Sequence, residues 1–180
     1  MLDFFYVNPW EIVMQKIILV VLWILLLRGT DVGAADAFEC RVTPKFSSGD
    51  SIGQAVSESL RRANRQVTLA LFGFNNNDLA AELIKLAQKG VVVRLKIDET
   101  KGSGRKTSAL IGRLKSGGVE VQTVAPSGRN HNKFAVIDGS RVLTGSYNWT
   151  IKAESNWENL LILDCAELAS SYQREWEKIR

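Results

Sequence analysis

An α/β fold, a layered α/β/α sandwich around a mixed central sheet, is expected from three features of this chain. Short aliphatic and β-branched runs alternate with segments that carry apolar residues at helical spacing, the pattern of strands interleaved with helices packed on their faces. Two late apolar runs are joined by Asp138-Gly139-Ser140. That is a hairpin signal, and it makes the sheet mixed instead of wholly parallel. With 46% hydrophobic residues in 180, the chain can bury one substantial core, so disorder is not expected away from its ends.

Residues 41–49, which contain Pro44, read as an irregular lead-in. In 51–64, Ile52, Val56, Leu60 and Ala63 fall at helical spacing and predict an amphipathic helix. Residues 66–74 (QVTLALFGF) read as a buried strand. Asn75-Asn76-Asn77 is a turn, and Asn77 or Asp78 is placed to cap a helix that runs to Lys89 and stops at Gly90. A strand at 91–98 (VVVRLKID) leads into a glycine-rich loop at 99–105 (ETKGSGR). Leu110, Ile111 and Leu114 define a helix over 107–116, ended by Gly117-Gly118, and 119–124 is a strand. Strands at 134–137 and 141–143 form the hairpin, 157–163 is a last strand, and 166–179 a closing helix.

Ahead of this domain, residues 17–27 (IILVVLWILLL) are uncharged and almost wholly aliphatic. Eleven residues at ~1.5 Å each fall short of a ~30 Å hydrocarbon core, so the length suits the apolar part of a secretory signal. Lys16 precedes the run, Ala35-Asp36-Ala37 resembles a cleavage site, and Met14 is a better-placed start than Met1 because Asp3 and Glu11 are acidic. Export to the periplasm or medium is the favoured reading, with an uncleaved membrane anchor as the alternative. Residues 1–37 are then signal or anchor, and 38–180 the working domain. The whole chain carries +4 with pI near 9.2. Removing 1–37 leaves 21 bases and 15 acids, a net +6, which favours an anionic partner.

The two cysteines, Cys40 and Cys165, are too far apart for a CxxC redox pair or a zinc finger. Two readings stand: a disulfide formed in an oxidising compartment, or a buried thiol at Cys165 with an incidental Cys40. With one histidine and two distant cysteines, a structural zinc site is not expected.

That single histidine, His131, lies in the densest polar cluster of the chain. Alternate side chains share a face in an extended segment, so His131 and Lys133 point into one pocket, and Ser146 and Asn148 share a face of the second hairpin arm. An imidazole, an ammonium, a hydroxyl and a carboxamide at the ends of paired strands can hold an anionic phosphate and attack it.

The run His131-x-Lys133-x4-Asp138-x6-Gly145-Ser146-x-Asn148 matches the HKD motif of the phospholipase D superfamily. The chain resembles that family's small single-motif members, the Nuc-type bacterial endonucleases and their mitochondrial relatives. The resemblance spans about 40–180, with the strands at 67–72 and 91–98 and the pair Glu158-Asn159 where the family places them. It implies that one histidine attacks phosphorus to form a phosphohistidine while a second protonates the leaving oxygen and then activates water. Carried over, His131 is nucleophile or acid, Lys133, Ser146 and Asn148 hold the phosphate oxygens, and Glu158 orients the histidine. Asp138 completes the candidate catalytic set, with a turn-fixing role expected of it. Gly145 permits close backbone approach. Two histidines are needed and the chain has one, so the resemblance implies a homodimer with one shared site. No metal or other cofactor is expected.

Around the motif, Arg129 is a candidate phosphate contact. Lys101, Arg105, Lys106, Arg113 and Lys115 either track a phosphate backbone or form a solvated face. Trp149 and Trp157 are expected in the core or an interface in preference to stacking on bases. The expected activity is a sequence-nonspecific nuclease acting on DNA or RNA. The alternatives are a phospholipase D acting on phospholipid head groups and a nucleic-acid binding module with weak activity.

Overall fold

The computed structural model describes Trp10, Met14 and Glu39–Arg180, the Lys106 side chain excepted. The apolar run at 17–27 and the cleavage expected after Ala37 lie outside the described residues. Among the described residues, no helix is long and apolar enough to cross a membrane.

Seven strands form one sheet: β1 (Arg41–Phe46), β2 (Gln66–Leu71), β3 (Val92–Asp98), β4 (Glu120–Val124), β5 (Lys133–Ile137), β6 (Arg141–Gly145) and β7 (Asn159–Asp164). Their spatial order is β1-β7-β6-β5-β2-β3-β4. β2, β3 and β4 run parallel, and the other neighbours are antiparallel. The sheet is therefore mixed, as the hairpin at 138–140 implies.

Helices α1 (Ile52–Leu60), α2 (Asn77–Gln88), a one-turn α3 (Glu99–Gly102), α4 (Arg105–Ser116) and α5 (Ala166–Lys178) complete the domain. Period-two alternation assigns the faces. Val67, Leu69 and Leu71 of β2 join Val56, Leu60, Leu83 and Leu114 in the larger core. Ala70 of the same strand joins Phe134, Val136, Val142 and Ala169 in the smaller core that includes α5. Two apolar layers on opposite faces of one sheet make the α/β/α sandwich.

Several boundaries differ from the sequence reading for identifiable reasons. Residues 41–46 are strand β1, paired with β7 from Arg41↔Asp164 to Phe46↔Asn159; Pro44 is tolerated because β1 is an edge strand. The cap of α2 is Asn76, whose Oδ1 accepts from Asp78 N (3.0 Å) and Leu79 N (3.3 Å). The glycine-rich segment folds into α3 because Asp98 caps it, accepting from Thr100 N at 3.1 Å. A 3-10 turn at Ile151–Ser155, capped by Thr150, has no clear signal in the sequence pattern. Cys40 and Cys165 form a disulfide with Cα atoms 4.8 Å apart, tying the start of β1 to the end of β7.

Candidate active site

The motif's two arms meet at one end of the sheet, where β2 and β3 end and β5 begins. Open α/β sheets bind ligands at the carboxyl ends of their parallel strands. Lys133 pairs with Leu71 of β2, and Phe72 N donates to the Asn132 carbonyl at 2.8 Å. The β6 exit is held the same way: Ser146 N donates to the Asn159 carbonyl at 3.2 Å, and Asn75 N to the Trp149 carbonyl at 3.0 Å. Rigid strand ends thus carry every member of the cluster except Asp138.

His131 is exposed, and its ring lies 4.5 Å from that of Phe72. Lys133 Nζ donates to the His131 carbonyl (2.8 Å) and sits 3.3 Å from His131 Nδ1. Burial pushes the Lys133 ammonium below its ordinary pKa, and the Glu158 carboxylate acts against that shift. Ser146 Oγ donates to Glu158 and accepts from Asn159 N at 3.0 Å. Asn148 Oδ1 is buried without a partner, and among the described residues no protein acceptor takes its Nδ2. Its amide donor is therefore available to a ligand, as an anion-holding role requires. Gly145 is required by space: a Cβ there would sit 2.3 Å from the Asn159 carbonyl oxygen.

Two candidate residues stand apart from His131. Asp138 does not belong to the pocket. It lies at the opposite end of β5, where its carboxylate accepts from the backbone N–H groups of Asn64 (2.9 Å), Arg65 (2.8 Å) and Gln66 (3.0 Å). It fixes the turn, as expected of it, and is separated from the chemistry. Glu158 makes no hydrogen bond to His131 within the chain; its oxygens accept from Ser146 Oγ and from Asn156 Nδ2 (3.1 Å). Of the two tryptophans, Trp149 is core, edge-on to Phe74 at 5.9 Å, whereas Trp157 is 89% exposed beside Glu158.

Arg129 is half committed: its guanidinium bonds Thr100 Oγ1 and lies 3.9 Å from Asp98, leaving the rest exposed. Asp98 itself escaped the sequence reading. It is buried at the end of β3 and accepts from Asn130 N at 2.9 Å, which fixes the loop that carries His131. Burial alone would raise its pKa, but the hydrogen bonds from Thr100 and Asn130, with Arg129 nearby, hold it below the usual carboxylate range. Phe72, the platform under His131, also went unnoticed, since an aromatic in an apolar strand reads as core. Among the described residues, no cluster of three or more His, Cys, Asp or Glu side chains could hold a metal.

The arrangement offers one accessible imidazole, an ammonium 3.3 Å from it, and a free amide donor. Such groups can supply a nucleophile or proton carrier beside donors able to hold an anion.

The chain is similar to several known proteins. The mitochondrial cardiolipin hydrolase of Xenopus tropicalis is 41% identical over 121 residues, covering 67% of this chain and 57% of that protein. A phospholipase D of Rickettsia bellii is 27% identical over 137 residues, covering 76% and 67%. The chain thus spans somewhat over half the length of the frog relative. The crystal structure of Nuc from Salmonella typhimurium, a phospholipase D family member, superposes with a TM-score of 0.74 at 26% identity, covering 79% of this chain and 97% of that one. The family model described as "Cardiolipin synthase, PLD-like domain" matches residues 56–180, and with it the chain belongs to the phospholipase D superfamily.

Proposed function

We propose that the chain is a metal-independent phosphodiesterase that works as a homodimer and hydrolyses DNA or RNA without sequence preference. The observation that carries this reading is the exposed His131 beside Lys133 and the unpartnered Asn148 amide, in a chain with one histidine. In the first step His131 attacks phosphorus, the P–N bond forms and the P–O bond to the leaving group breaks. A second imidazole, His131 of the partner subunit, gives its proton to the leaving oxygen. In the second step water attacks phosphorus, its proton passes to that imidazole, and the P–N bond breaks. Lys133, Ser146 and Asn148 hold the nonbridging oxygens as charge builds on them.

The net charge of +6 for residues 38–180 supports a polyanionic substrate. The intact motif weighs against a binding module without turnover. A second reading is a phospholipase acting on cardiolipin or related lipids, favoured by the names of the frog relative and of the matching family. The Cys40–Cys165 disulfide supports an oxidising compartment, and so export.

The test incubates the protein with plasmid, single-stranded DNA, RNA and cardiolipin vesicles in EDTA, at a concentration where light scattering reports the oligomer. Cleavage of nucleic acid by a dimer, abolished in a folded His131→Ala variant, is expected. Cleavage of lipid alone selects the second reading, and full activity from a strict monomer refutes the shared site.

A further inference from the structure

Next to His131 the site opens into a side cavity of about 360 Å³, lined by Phe72, Phe74, Lys101, Asn148, Lys152 and Asn156 among others. It shares Asn148 with the motif, and Phe72 is the ring on which His131 packs. Its walls include two aromatic rings, and two lysines line it from different elements: Lys101 from α3 and Lys152 from the 3-10 turn. Neither has an acidic partner among the described residues, whose ion pairs all lie elsewhere. Two unpaired like charges around an apolar hollow repel one another unless an anion sits between them.

The spacing from the motif is short. Lys133 Nζ lies 5.4 Å and Lys101 Nζ 5.1 Å from the centre of the Phe72 ring. The two ammonium groups are therefore no further apart than those lengths laid end to end. A phosphate held by Lys133 and an anion held by Lys101 would then lie beside the same aromatic ring.

We infer that Lys101 and Lys152 bind a second phosphate of the substrate, joined to the scissile one through three carbons. Such a bridge spans at most about 7 Å between phosphorus atoms, the reach of two extended residues. The inference rests on the phosphodiesterase reading and deepens it by naming a chemical class. Neighbouring phosphates of a polynucleotide are linked through C3′, C4′ and C5′ of the sugar. The two phosphates of cardiolipin are linked through the three carbons of its central glycerol. Both are 1,3-bridged bisphosphates, and one site can read either. Phosphodiesters with a single phosphate leave Lys101 and Lys152 unused.

The experiment compares kcat/KM within two substrate pairs that differ only in the second phosphate. The nucleotide pair is pTpT against TpT, and the lipid pair is phosphatidylglycerol phosphate against phosphatidylglycerol, both lipids in phosphatidylcholine vesicles. The wild type is expected to favour the two-phosphate member of at least one pair, and that pair identifies the source of the bisphosphate. In K101Q/K152Q the selectivity ratio is expected to fall about tenfold, carried by KM. The singles K101Q and K152Q should each give part of the fall. Calorimetry supplies a readout without turnover: propane-1,3-diyl bisphosphate should bind the wild type about tenfold tighter than propyl phosphate, and the double variant should lose the difference. A wild-type ratio near one in both pairs, or a ratio that the double variant preserves, overturns the inference. Failure to cleave even bis(p-nitrophenyl) phosphate instead overturns the phosphodiesterase reading beneath it.

Discussion

Replacing Asp138 by Asn separates the fold from the chemistry in a residue that belongs to the motif by sequence. Its Oδ1 accepts from Arg65 N (2.8 Å) and Gln66 N (3.0 Å), and its Oδ2 from Asn64 N (2.9 Å). An amide at that position keeps one oxygen. Placed at Oδ1, it retains two bonds at neutral strength and turns its NH2 against the Asn64 N–H, donor to donor. Losing one charge-assisted bond and weakening two others costs about 3 kcal/mol. At roughly 2–4 °C per kcal/mol for a domain near this size, the melting temperature should fall by about 8 °C. The five-residue step along β5 puts about 16 Å between Asp138 and Lys133, twice the ~8 Å screening length in physiological salt. The turnover number should therefore stay at the wild-type value. Thermal unfolding by circular dichroism, with kcat on bis(p-nitrophenyl) phosphate well below the transition, measures both. A tenfold loss of kcat at unchanged melting temperature would show that the carboxylate takes part in the reaction and would refute the structural assignment.

Two further outcomes follow from the same geometry. Gly145→Ala puts a methyl 2.3 Å from the Asn159 carbonyl oxygen; the β6–β7 pairing must open, and a loss of about 2–4 kcal/mol is expected by denaturant titration, against which an unchanged midpoint would count decisively. Acid should destabilise the fold through Asp98, Asp138 and Asp164. Burial works against ionisation at the first two and hydrogen bonds outweigh it, while the Arg141 hydrogen bond dominates at Asp164, so all three carboxyls lie below their ordinary value of 3.8. Folding stability from them is present above that value and is lost as pH falls through the lower folded-state pKa values. The melting temperature should drop below about pH 4, less steeply in Asp138→Asn, and a flat profile from pH 5 to 2 would contradict the linkage.

The fold was readable where period and punctuation agreed. Val67, Leu69 and Leu71 alternate against Thr68 and Ala70, and Gly90, at φ +88°, ends α2 where expected. It was unreadable where tertiary pairing overrides local preference: Pro44 forbids a central strand, but nothing local reveals that β7 offers an edge. The site divides in the same way. Spacing picks out His131, Lys133, Ser146 and Asn148 as candidates, and all four lie at or just beyond the ends of the paired strands β5 and β6. Asp98 at the end of β3 and Phe72 just after β2 act from far away in sequence, linked to the His131 loop by hydrogen bonds from Asn130 N and from Phe72 N and by one ring contact. No spacing within the motif can encode a partner some thirty to sixty residues upstream of it.

The contact between His131 and Lys133 bears on how the site becomes reactive. His131 Nδ1 lies 3.3 Å from Lys133 Nζ. An ammonium can only donate, so Nδ1 accepts, and a neutral ring then carries its proton on Nε2. That nitrogen has no lone pair to offer phosphorus, and Nδ1 is covered. Attack requires the other tautomer, with Nδ1–H held by an acceptor, as the third member of a Ser-His-Asp triad holds its histidine. Glu158 is the carboxylate that acts on the Lys133 charge, and its oxygens are taken by Ser146 and Asn156. On the function proposed above, a phosphate in the site would compete for both Lys133 and Ser146, uncovering Nδ1 and releasing Glu158 to accept from it. On that reading substrate assembles the nucleophile that attacks it. Nitrogen-15 NMR of His131 should show Nε2–H in the free protein and Nδ1–H once orthovanadate, a phosphate mimic, is added. In Glu158→Gln the switch should fail and kcat should fall about a hundredfold or more. An Nδ1–H ring in the free protein would remove the premise, since it would place a donor opposite an ammonium and leave the observed contact without an electrostatic basis.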